Sequence, residues 1–483
     1  MTINNRAANN RAAPLRHMSS RMGMLALLAC LIWPAATHAG TISTPANCTV
    51  LSSARSVSPV RTPSLSTVQE GFSCLLAHYV TGANLDDRVL LRGAYTEMNS
   101  ALQANGIVVP GAMREPAFTG SRGQDWGLFA HAYASLNSLL PASSVIPGAL
   151  AEVALAGMTG SLHDDHTDYV PGDQLKPLIG QLFDSGPVPT FGLVLSIISA
   201  TQPIFVTTLF KGAPAAQAGI KLGDVILLVN GHAPFSDVRG LAGFAPLLAP
   251  RIGSPVTLVL SRPATGATLT FHLMPKSLQT PDSISRVIAG HVYYVKLFSF
   301  TKDAASRIMA EVAALPASAK ITGMVLDLRG NEGGVIGGAI HLLSAFAHHK
   351  TLFYSVDGNG KRSPQGTDDS VPLLGWPLVV LTDSASASAS EIVAGSVRDY
   401  HLGTLIGTRT AGALAGADFF GLNDGGGLEI TEARVLGPHG ETVDGVGVVP
   451  DQQLSTSPQE LSTGHDPVID WAVRDLKRLA QPH

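Results

Sequence analysis

Helical periodicity marks the chain from residue 68 to residue 161. Apolar residues recur there at intervals of three and four positions, the spacing that places side chains on one face of a helix. The pattern predicts four helices, over residues 68–80, 85–106, 124–140 and 147–161. A polar segment with the sequence SLHDDHTDYV follows them. We therefore expect a helical N-terminal region, residues 67–185, that carries this polar segment.

Strand-length apolar runs replace the helical pattern between residues 190 and 275. The runs FGLVLS, IFVTTLF, DVILLV, VTLVLSR and TLTFHL are separated by segments that contain Gly and Pro, an arrangement typical of short β-strands joined by turns. A short helix is predicted near residues 238–248. We expect a small domain of mostly β-structure over residues 188–276, called the β domain below.

Strands and helices alternate through the rest of the chain as far as Asp451. HVYYVKLFSF, residues 291–300, is the first strand of this part and is followed by a helix to about residue 314. Such alternation predicts an α/β core, residues 277–483, with a mainly parallel sheet and helices on its faces. A final helix over residues 467–479 is expected on the outside of this core.

The N-terminus has the features of a secretory signal peptide. Four arginines precede the apolar run MLALLACLIWPAA, and small residues follow it, which predicts a signal over residues 1–39 with cleavage after Ala39. The chain is therefore expected to be secreted, with the periplasm as its location. The apolar run is short for a membrane span; an uncleaved anchor and lipidation at Cys30 remain alternatives. A Ser/Thr/Pro-rich segment, residues 40–66, comes next.

Removal of the signal leaves two cysteines, Cys48 and Cys74. In an exported protein, a single pair of cysteines is expected to form a disulfide. Cys48 lies in the Ser/Thr/Pro-rich segment and Cys74 in a predicted helix, so the bond would tie the mature N-terminus to the body of the protein. Two unpaired thiols are the alternative.

Composition and charge limit the classes of molecule that the protein is expected to bind. Of the 483 residues, 14% are charged, and the formal net charge is −4. No basic run lies in the mature part, which argues against nucleic acid or an anionic membrane surface and favours a peptide. Membrane association is expected only with an uncleaved or lipidated signal. The histidines and cysteines lack metal-ligand spacing, so we expect neither a metal nor a cofactor. The sequence does not define the oligomeric state.

Two segments have the pattern of a site that exposes a nucleophile. In LTDSASASASEIVAG, residues 381–395, an apolar strand leads through alternating Ser and Ala into a helix. The residue after a nucleophilic serine at such a position offers its N–H at the helix N-terminus, where an oxyanion can be stabilised. In GMVLDLRGNEGGVIGGAIHLL, residues 323–343, a strand, a Gly-rich turn and a helix offer further free amides. Small residues at these turns are also common for packing alone.

Together with GETVDGVGVVPD, which ends at Asp451, these segments resemble the carboxyl-terminal processing (tail-specific) serine peptidases and the related tricorn core proteases. The resemblance extends over residues 147–451. It implies a core with the crotonase-like or ClpP-like spiral of that family, and a nucleophile three residues before the helix-opening Glu391, which is Ser388. It also implies an oxyanion hole formed by the N–H of Ala389 with that of Gly334 or Gly333.

The residue that activates the serine departs from the family pattern. Most of these peptidases use a lysine, but here the turn GTRTAGAL places Ala413 at that position. Arg409 cannot replace it, because a guanidinium stays protonated. One interpretation is an inactive protein that binds peptides or apolar ligands, like the retinoid-binding relatives of the family. The other is a tricorn-like triad with a histidine base.

The tricorn branch implies particular residues for that triad. His166 in HDDHTDY occupies the position of the histidine, and His163 is expected to be a surface or capping residue. Asp444 in TVDGVGVVPD matches the acidic position, with Glu441 as the second candidate. The expected roles are Ser388 as nucleophile, His166 as general base and Asp444 as the group that orients the imidazole. Glu332 stands where the family usually carries Pro.

The β domain resembles a PDZ domain in two motifs. Its loop FGLV, formed by Phe191, Gly192, Leu193 and Val194, matches the carboxylate-binding loop, and AGIKLGD, residues 218–224, matches a second turn. The resemblance implies that loop amides hold the C-terminal carboxylate of a peptide while the peptide adds a strand to the sheet edge. A β domain that serves only as a spacer is the alternative.

Overall fold

The computed structural model describes residues 48–140, 148–196, 203–234, 245–248 and 250–479. The expected signal peptide, Cys30 and residues 238–244 of the helix predicted in the β domain lie outside these ranges.

Five α-helices make up most of the N-terminal region in the described ranges. They are α1 (Leu65–His78), α2 (Asp87–Ala104), α3 (Arg122–Asn137), α4 (Ala149–Gly160) and α5 (Gly172–Asp184). The four predicted helices are confirmed with ends shifted by a few residues, and α5 is an addition. A short strand, β1 (Asp168–Val170), precedes α5. None of the described helices has both the length and the hydrophobicity that a membrane span needs.

Polar side chains define where the first two helices begin. The N–H of Ser64 donates to Oγ1 of Thr67 at the start of α1 (3.1 Å), and the Asp86 carboxylate accepts from the N–H of Arg88 at the start of α2 (3.1 Å). Each contact gives an acceptor to a backbone N–H group at the start of the helix, which the hydrogen bonds of the helix itself leave unpaired.

The helices share one hydrophobic core with the C-terminal half of the chain. Leu75, Leu91 and Leu155 from α1, α2 and α4 are fully buried there, together with Phe420 and Leu428 from the C-terminal half. The N-terminal region therefore packs directly on the α/β core.

The predicted disulfide between Cys48 and Cys74 is confirmed, with 5.8 Å between the Cα atoms. It joins the segment before α1 to α1 itself. The same segment continues along the core, because the N–H of Leu51 donates to the carbonyl of Phe419 (2.8 Å).

The β domain contains one five-stranded antiparallel sheet in its described part. Its elements are β2 (Val188–Thr190), β3 (Leu193–Ser196), β4 (Phe205–Leu209), α6 (Pro214–Gln217), β5 (Val225–Val229), α7 (Ala245–Leu248), β6 (Val256–Arg262), β7 (Ala267–Leu273) and β8 (Lys276–Leu278). The sheet order is β3-β4-β5-β6-β7, so β3 is an edge strand. Strands β2 and β8 pair with each other where the chain enters and leaves the domain.

The α/β core follows with the remaining elements. They are β9 (Ser283–Ile288), β10 (Val292–Leu297), α8 (Ala304–Ala313), β11 (Gly323–Asp327), α9 (Ile336–Ser344), β12 (Thr351–Val356), β13 (Arg362–Gly366), β14 (Leu378–Thr382), α10 (Ala389–Asp399), β15 (Gly403–Gly407), β16 (Ala415–Gly421), β17 (Gly427–Leu436), β18 (Gln452–Gln453), α11 (Pro458–Ser462) and α12 (Pro467–Leu479).

The main sheet of the core has the strand order β18-β15-β14-β11-β10-β9. All pairings are parallel except that between β9 and β10. Helices α8, α9 and α10 pack on one face and α12 on the other. Strands β10, β11 and β14 are buried along their whole length, as expected for parallel strands covered on both faces.

A second, antiparallel sheet lies beside the main one. Its order is β1-β17-β12-β13, and β16 pairs with β17. The alternation of strands and helices did not predict this sheet. Strand β1 comes from the N-terminal region and pairs with β17 over residues 427–429, which brings the polar segment at residues 161–170 to the core.

The parallel strands determine where the site forms. Strands β11, β14 and β15 run in the same direction, so the loops after their carboxyl ends meet at one edge of the sheet. These loops contain the glycine turn, defined as residues 330–334, the Ser/Ala segment before α10, and the turn at residues 410–413, called the 410–413 turn.

Candidate active site

Ser388 is the residue immediately before the first turn of α10. Its backbone is in an unusual conformation, with φ of 53° and ψ of −116°, which a non-glycine residue adopts only when the surrounding structure holds it. The side chain is completely buried. This geometry places the hydroxyl beside the unpaired amides of the helix N-terminus.

Hydrogen bonding distinguishes Ser388 from its neighbours in the Ser/Ala segment. Oγ of Ser386 donates to the carbonyl of Leu328 (2.9 Å), and Oγ of Ser390 donates to the carbonyl of Asn331 (2.9 Å). Within the described residues, Oγ of Ser388 has no hydrogen-bond partner. The two neighbours hold loops together, so the free hydroxyl favours Ser388 as the nucleophile.

The glycine turn packs directly against Ser388. A Cβ on Gly333 would lie 2.7 Å from Cβ of Ser388 and 3.1 Å from the backbone N of Ala389, so only glycine fits there. The N–H of Gly333 already donates to Oδ1 of Asn331 (2.8 Å). In the described part of the chain, the N–H groups of Gly334 and Ala389 have no acceptor. Of the two glycines considered for the oxyanion hole, this favours Gly334.

Glu391 connects the nucleophile to the 410–413 turn. Its buried carboxylate accepts hydrogen bonds from the N–H of Ser388 (3.1 Å), the N–H of Gly412 (2.7 Å), the N–H of Ala413 (2.9 Å) and Oγ1 of Thr410 (2.6 Å). Burial raises the pKa of Glu391 to about 7, and the donated hydrogen bonds act in the opposite direction. A carboxylate is favourable at a helix N-terminus. Glu391 in addition holds the Ser/Ala segment and the 410–413 turn at a fixed distance from each other.

Ala413, at the position where the resemblance implies a lysine, lies beside Ser388 and carries no base. The carbonyl of Ala413 accepts a hydrogen bond from the N–H of Ser388 (2.9 Å), so the two residues are direct neighbours. A methyl group occupies this place, and a proton acceptor must come from elsewhere in the structure.

His166 is buried in the loop between α4 and β1. It is 3% exposed, and both ring nitrogens lack a hydrogen-bond partner within the described residues. The Asp164 carboxylate fixes the loop by accepting from the N–H of His166 (2.9 Å) and from Oγ1 of Thr167 (2.9 Å). A buried imidazole with two free nitrogens is uncommon in a core that serves packing alone, because unpaired buried polar atoms are costly. His163, three residues after the end of α4, is exposed, as expected.

Asp444 lies within electrostatic range of His166. Its carboxylate accepts from the N–H of Leu414 (3.3 Å). Loss of hydration raises the pKa of Asp444, while the Leu414 hydrogen bond and the nearby His166 lower it. Glu441, the second candidate, interacts instead with Arg398 (3.8 Å) and Asp399 at the far end of α10. The arrangement thus favours Asp444.

The three candidate residues are not joined by direct hydrogen bonds in the described part of the structure. Neither Ser388 Oγ nor either nitrogen of His166 has a partner there. Such contacts are often long in the absence of substrate and tighten when it binds. What the structure brings together is the nucleophile with two free amides, and the imidazole with a carboxylate.

The FGLV loop forms the start of the edge strand β3. Phe191 is buried in the core of the β domain, and Gly192 has φ of 74° with no room for a side chain, since a Cβ would lie 2.0 Å from Cβ of Ala213. The N–H of Gly192 donates to Oγ1 of Thr190 (2.9 Å). Leu193 and Val194 belong to β3, which has an unpaired edge.

A cavity of about 450 Å³ runs between the β domain and the glycine turn. Its lining on one side comes from Leu193, Val194 and Leu247 of the β domain. On the other side it includes Glu332 and Gly333 of the glycine turn. A peptide lying along β3 would thus approach the residues beside Ser388.

Sequence reasoning missed the polar residues that position these loops. Asn331 is completely buried and donates from Nδ2 to the carbonyl of Leu297 (3.0 Å). The Asp383 carboxylate accepts from the N–H of Gly330 (2.9 Å) and of Ala385 (3.0 Å), which joins the glycine turn to the Ser/Ala segment. Their place directly after β11 and β14 is the signal that could have identified them.

Comparison with known protein families gives two matches. Residues 291–454 match the description "Peptidase family S41", and residues 182–247 match "PDZ domain". The first covers the glycine turn, Ser388 and Asp444. The second covers the FGLV loop but ends before β6.

Individual relatives agree with these matches. The chain is 29% identical over 330 residues to a carboxy-terminal-processing protease of Bartonella bacilliformis, covering 66% of this chain and 72% of the relative. It is 30% identical over 315 residues to carboxyl-terminal-processing peptidase 3, chloroplastic, of Arabidopsis thaliana, covering 62% and 60%. Among solved structures, a photosystem II D1 C-terminal processing protease is 26% identical with a TM-score of 0.48, covering 77% of this chain and 94% of that one.

Proposed function

This chain belongs to the S41 family of carboxyl-terminal-processing serine peptidases, and on that premise we propose that it is a secreted endopeptidase with a Ser-His-Asp mechanism. Its substrates are peptides or unfolded proteins, recognised at their C-termini by the β domain. The single observation that carries the catalytic part is the unpaired, buried hydroxyl of Ser388, which packs against the glycine turn beside N–H groups of Ala389 and Gly334 that have no acceptor within the described residues.

The chemistry follows from these positions. Oγ of Ser388 attacks the scissile carbonyl carbon while His166 takes its proton, and the resulting oxyanion is stabilised by the N–H groups of Ala389 and Gly334. The C–N bond then breaks, and His166 returns the proton to the leaving amine. A water molecule, deprotonated by His166, hydrolyses the acyl-enzyme and regenerates Ser388. Asp444 stabilises the imidazolium in both steps.

Substrate capture is assigned to the β domain. Its edge strand β3 can pair with an extended peptide, and its FGLV loop lies at the start of that strand. The cavity beside β3 reaches Gly333, which supports delivery of the bound chain to Ser388. Because the N–H of Gly192 is occupied by Thr190, a bound carboxylate would use the N–H of Leu193 or would displace Thr190.

Two features support export as the location. The sequence pattern over residues 1–39 is that of a signal peptide, and the Cys48–Cys74 disulfide is of a kind that persists in oxidising compartments. The periplasm is the location proposed.

A second candidate function is binding without catalysis. The observation in its favour is the pair of departures at the site: Ala413 replaces the family lysine, and Ser388 has no hydrogen bond to His166 within the described residues. In that case the cavity and the β domain would hold a peptide or an apolar ligand without cleaving it.

Labelling with a fluorophosphonate probe separates the two functions. An active serine peptidase is modified at its nucleophile, and peptide mapping by mass spectrometry should find the adduct on Ser388. The variant Ser388→Ala should not be labelled. Ser386→Ala and Ser390→Ala should still be labelled, and they test which serine of the segment is the nucleophile. Absence of labelling in the folded wild-type chain would support the binding protein, and labelling lost only in a control variant would reassign the nucleophile.

A further inference from the structure

Glu332 occupies the middle of the glycine turn, between residues whose positions are fixed by other contacts. Asn331 is held by its hydrogen bonds to the carbonyl of Leu297 and the N–H of Gly333, and Gly333 is packed against Ser388. The turn is thus rigid on both sides of Glu332. Its side chain contributes to the lining of the 450 Å³ cavity.

The carboxyl group of Glu332 is unusual for a residue in such a place. No described residue donates a hydrogen bond to it or forms an ion pair with it. Burial, and to a smaller extent the negative charge of Asp383, raise its pKa to about 8. The side chain is only partly buried, so a partner from solution can reach its carboxyl group, and no described residue stabilises the charged form.

The other charged groups around the cavity already have partners. Asp173 pairs with Arg251 (3.3 Å), and Asp282 pairs with Arg307 and accepts from Oγ1 of Thr301. Asp383 accepts from backbone N–H groups of the adjoining loops. Among the carboxyl groups that line the cavity in the described structure, Glu332 is therefore the one left to receive a cation from outside the chain.

We propose that Glu332 is a specificity determinant that selects substrates with a lysine or arginine side chain close to the scissile bond. The proposal rests on the peptidase function proposed above and names the class of substrate for that site. Glu332 directly precedes Gly333 and the oxyanion donor Gly334, so a side chain that reaches its carboxyl belongs to a residue beside the reacting carbonyl. The cation supplies the partner that the free enzyme lacks.

The preference for a basic side chain should depend on pH. When the cation enters, Glu332 releases its proton, so the bound charge pair is favoured as the pH rises. The other charged groups that line the cavity are Asp173, Arg251 and Asp282, Asp383 lies near Glu332, and each keeps its own partner in the folded chain. We expect the selectivity for lysine to rise between pH 6 and pH 9.

The test uses internally quenched peptides that differ at one position. A set of peptides carries lysine or norleucine at each of the three residues on either side of the scissile bond. The measured quantity is the ratio of kcat/KM for the lysine peptide to that for the norleucine peptide, for wild type, Glu332→Gln and the matched control Asp173→Asn. At one position the wild-type ratio should exceed one by about tenfold at pH 8, the factor equivalent to one unit of pKa shift.

The variants give distinct outcomes. In Glu332→Gln the ratio should fall to near one and lose its pH dependence, while Asp173→Asn should keep the wild-type ratio. A ratio that is the same in wild type and Glu332→Gln would overturn the proposal, and so would an equal loss of kcat/KM for both peptides, which would indicate a role in the chemical step.

A binding measurement tests the selection of basic side chains independently of the peptidase function. Fluorescence anisotropy of the same peptides with the full-length Ser388→Ala chain measures the lysine-to-norleucine ratio of Kd without cleavage. If no peptide is hydrolysed by wild type but lysine peptides bind more tightly in a manner that requires Glu332, the peptidase function fails and the selection stands. Equal Kd values for both peptides would overturn the selection.

Discussion

At the residue scale, the site is distinguished by polar atoms that the folded chain leaves without partners. The Ser388 hydroxyl and both nitrogens of His166 are buried and unpaired within the described residues, and the Glu332 carboxyl receives no hydrogen bond there. Buried polar groups are normally satisfied, so the unpaired hydroxyl of Ser388 before the first turn of α10 is suited to a partner that a substrate supplies. Ser386 and Ser390, a few residues away, follow the ordinary rule.

The role of His166 gives the first prediction. His166→Ala should reduce kcat by about 10³-fold to 10⁴-fold, because the proton of Ser388 then has no positioned acceptor. The loss is measured as the rate of hydrolysis of a quenched peptide.

A matched control for this prediction lies in the same loop. His163 is exposed and has a left-handed φ of 54°, which asparagine tolerates well, so His163→Asn should retain most of the activity. Full activity in His166→Ala would contradict the triad.

The raised pKa of Glu332 gives a second prediction, which concerns stability. Between its ordinary pKa of 4.5 and its folded pKa of about 8, the folded chain holds a proton that the unfolded chain has lost. The free energy of unfolding therefore falls as the pH rises through this window. Glu332→Gln removes this loss, so relative to wild type it should gain nothing at pH 4 and increasingly more toward pH 8, on the order of a few kcal/mol, as measured by urea unfolding.

Glu460 offers a control in which stability changes with pH in the opposite direction. Hydrogen bonds from Ser457 lower the pKa of Glu460, so its carboxylate contributes stability above the ordinary pKa that is lost as the pH falls. Glu460→Gln should therefore become less stable than wild type as the pH rises. The same trend in both variants would contradict the assignment for Glu332.

At the element scale, the site depends on how three loops are tied at the carboxyl ends of parallel strands. Asp383 joins the loop after β14 to the glycine turn after β11. Glu391 at the start of α10 joins the 410–413 turn after β15 to the backbone of Ser388. Each carboxylate is held by backbone N–H groups, so the loops keep a fixed spacing although no regular pairing connects them.

Removal of the second tie gives the third prediction. Glu391→Ala leaves the N–H groups of Gly412 and Ala413 without an acceptor, while that of Ser388 keeps its bond to the carbonyl of Ala413, and we expect a loss of about 3 kcal/mol in the free energy of unfolding. Activity at temperatures well below unfolding should also fall, because the nucleophile and the 410–413 turn lose their common support. Chemical denaturation and peptide hydrolysis measure the two effects.

The control for Glu391 is a glutamate on the surface. Glu115 forms an exposed ion pair with Arg92 (3.1 Å), and such pairs contribute roughly 0–1 kcal/mol. Glu115→Ala should thus remain close to wild type in both measurements. A comparable, small loss in Glu391→Ala would mean that the buried carboxylate does not hold the loops.

At the scale of the whole molecule, the β domain is packed against the core on several sides of the cavity. The rings of Phe210 and Phe298 meet edge to face with 5.1 Å between centroids, and Gly223 in the second turn of the β domain lies against the backbone of Pro458 in α11. These contacts hold the edge strand β3 beside the glycine turn. Binding of a peptide at β3 is therefore expected to place that peptide close to the residues that would cleave it.

The fourth prediction tests capture by the β domain in the intact chain. Peptides that end in a free carboxylate after an apolar residue should bind full-length Ser388→Ala more tightly than the same peptides with an amidated end. The amide loses the charge-assisted hydrogen bonds from the loop, so we expect about tenfold weaker binding in a calorimetric titration, equivalent to about 1.4 kcal/mol.

A peptide of the same length with a C-terminal aspartate serves as the specificity control, since the apolar side chains of Leu193, Val194 and Leu247 in the β domain offer no partner to a charged terminal side chain. Equal Kd values for acid and amide peptides would remove the carboxylate-capture role and leave the β domain as a spacer or a gate.

The four N-terminal helices, the strands of the β domain, the alternation in the core and the Cys48–Cys74 pair were determined by the sequence itself. These features depend on local periodicity, on turn residues and on the number of available cysteines, all of which are visible within short windows. The spacing to Glu391 also singled out Ser388 as the candidate nucleophile, because a helix start and the residue just before it are neighbours along the chain.

Tertiary structure alone decided how distant segments meet. It showed the second, antiparallel sheet and the pairing of β1 with β17, which brings His166 toward Asp444. It also showed that Asn331 occupies the N–H of Gly333, and that among the described residues the N–H of Gly334 and the carboxyl of Glu332 have no partner. The physical reason is that hydrogen bonding and desolvation at each of these groups depend on residues far away in the chain, which no local pattern encodes.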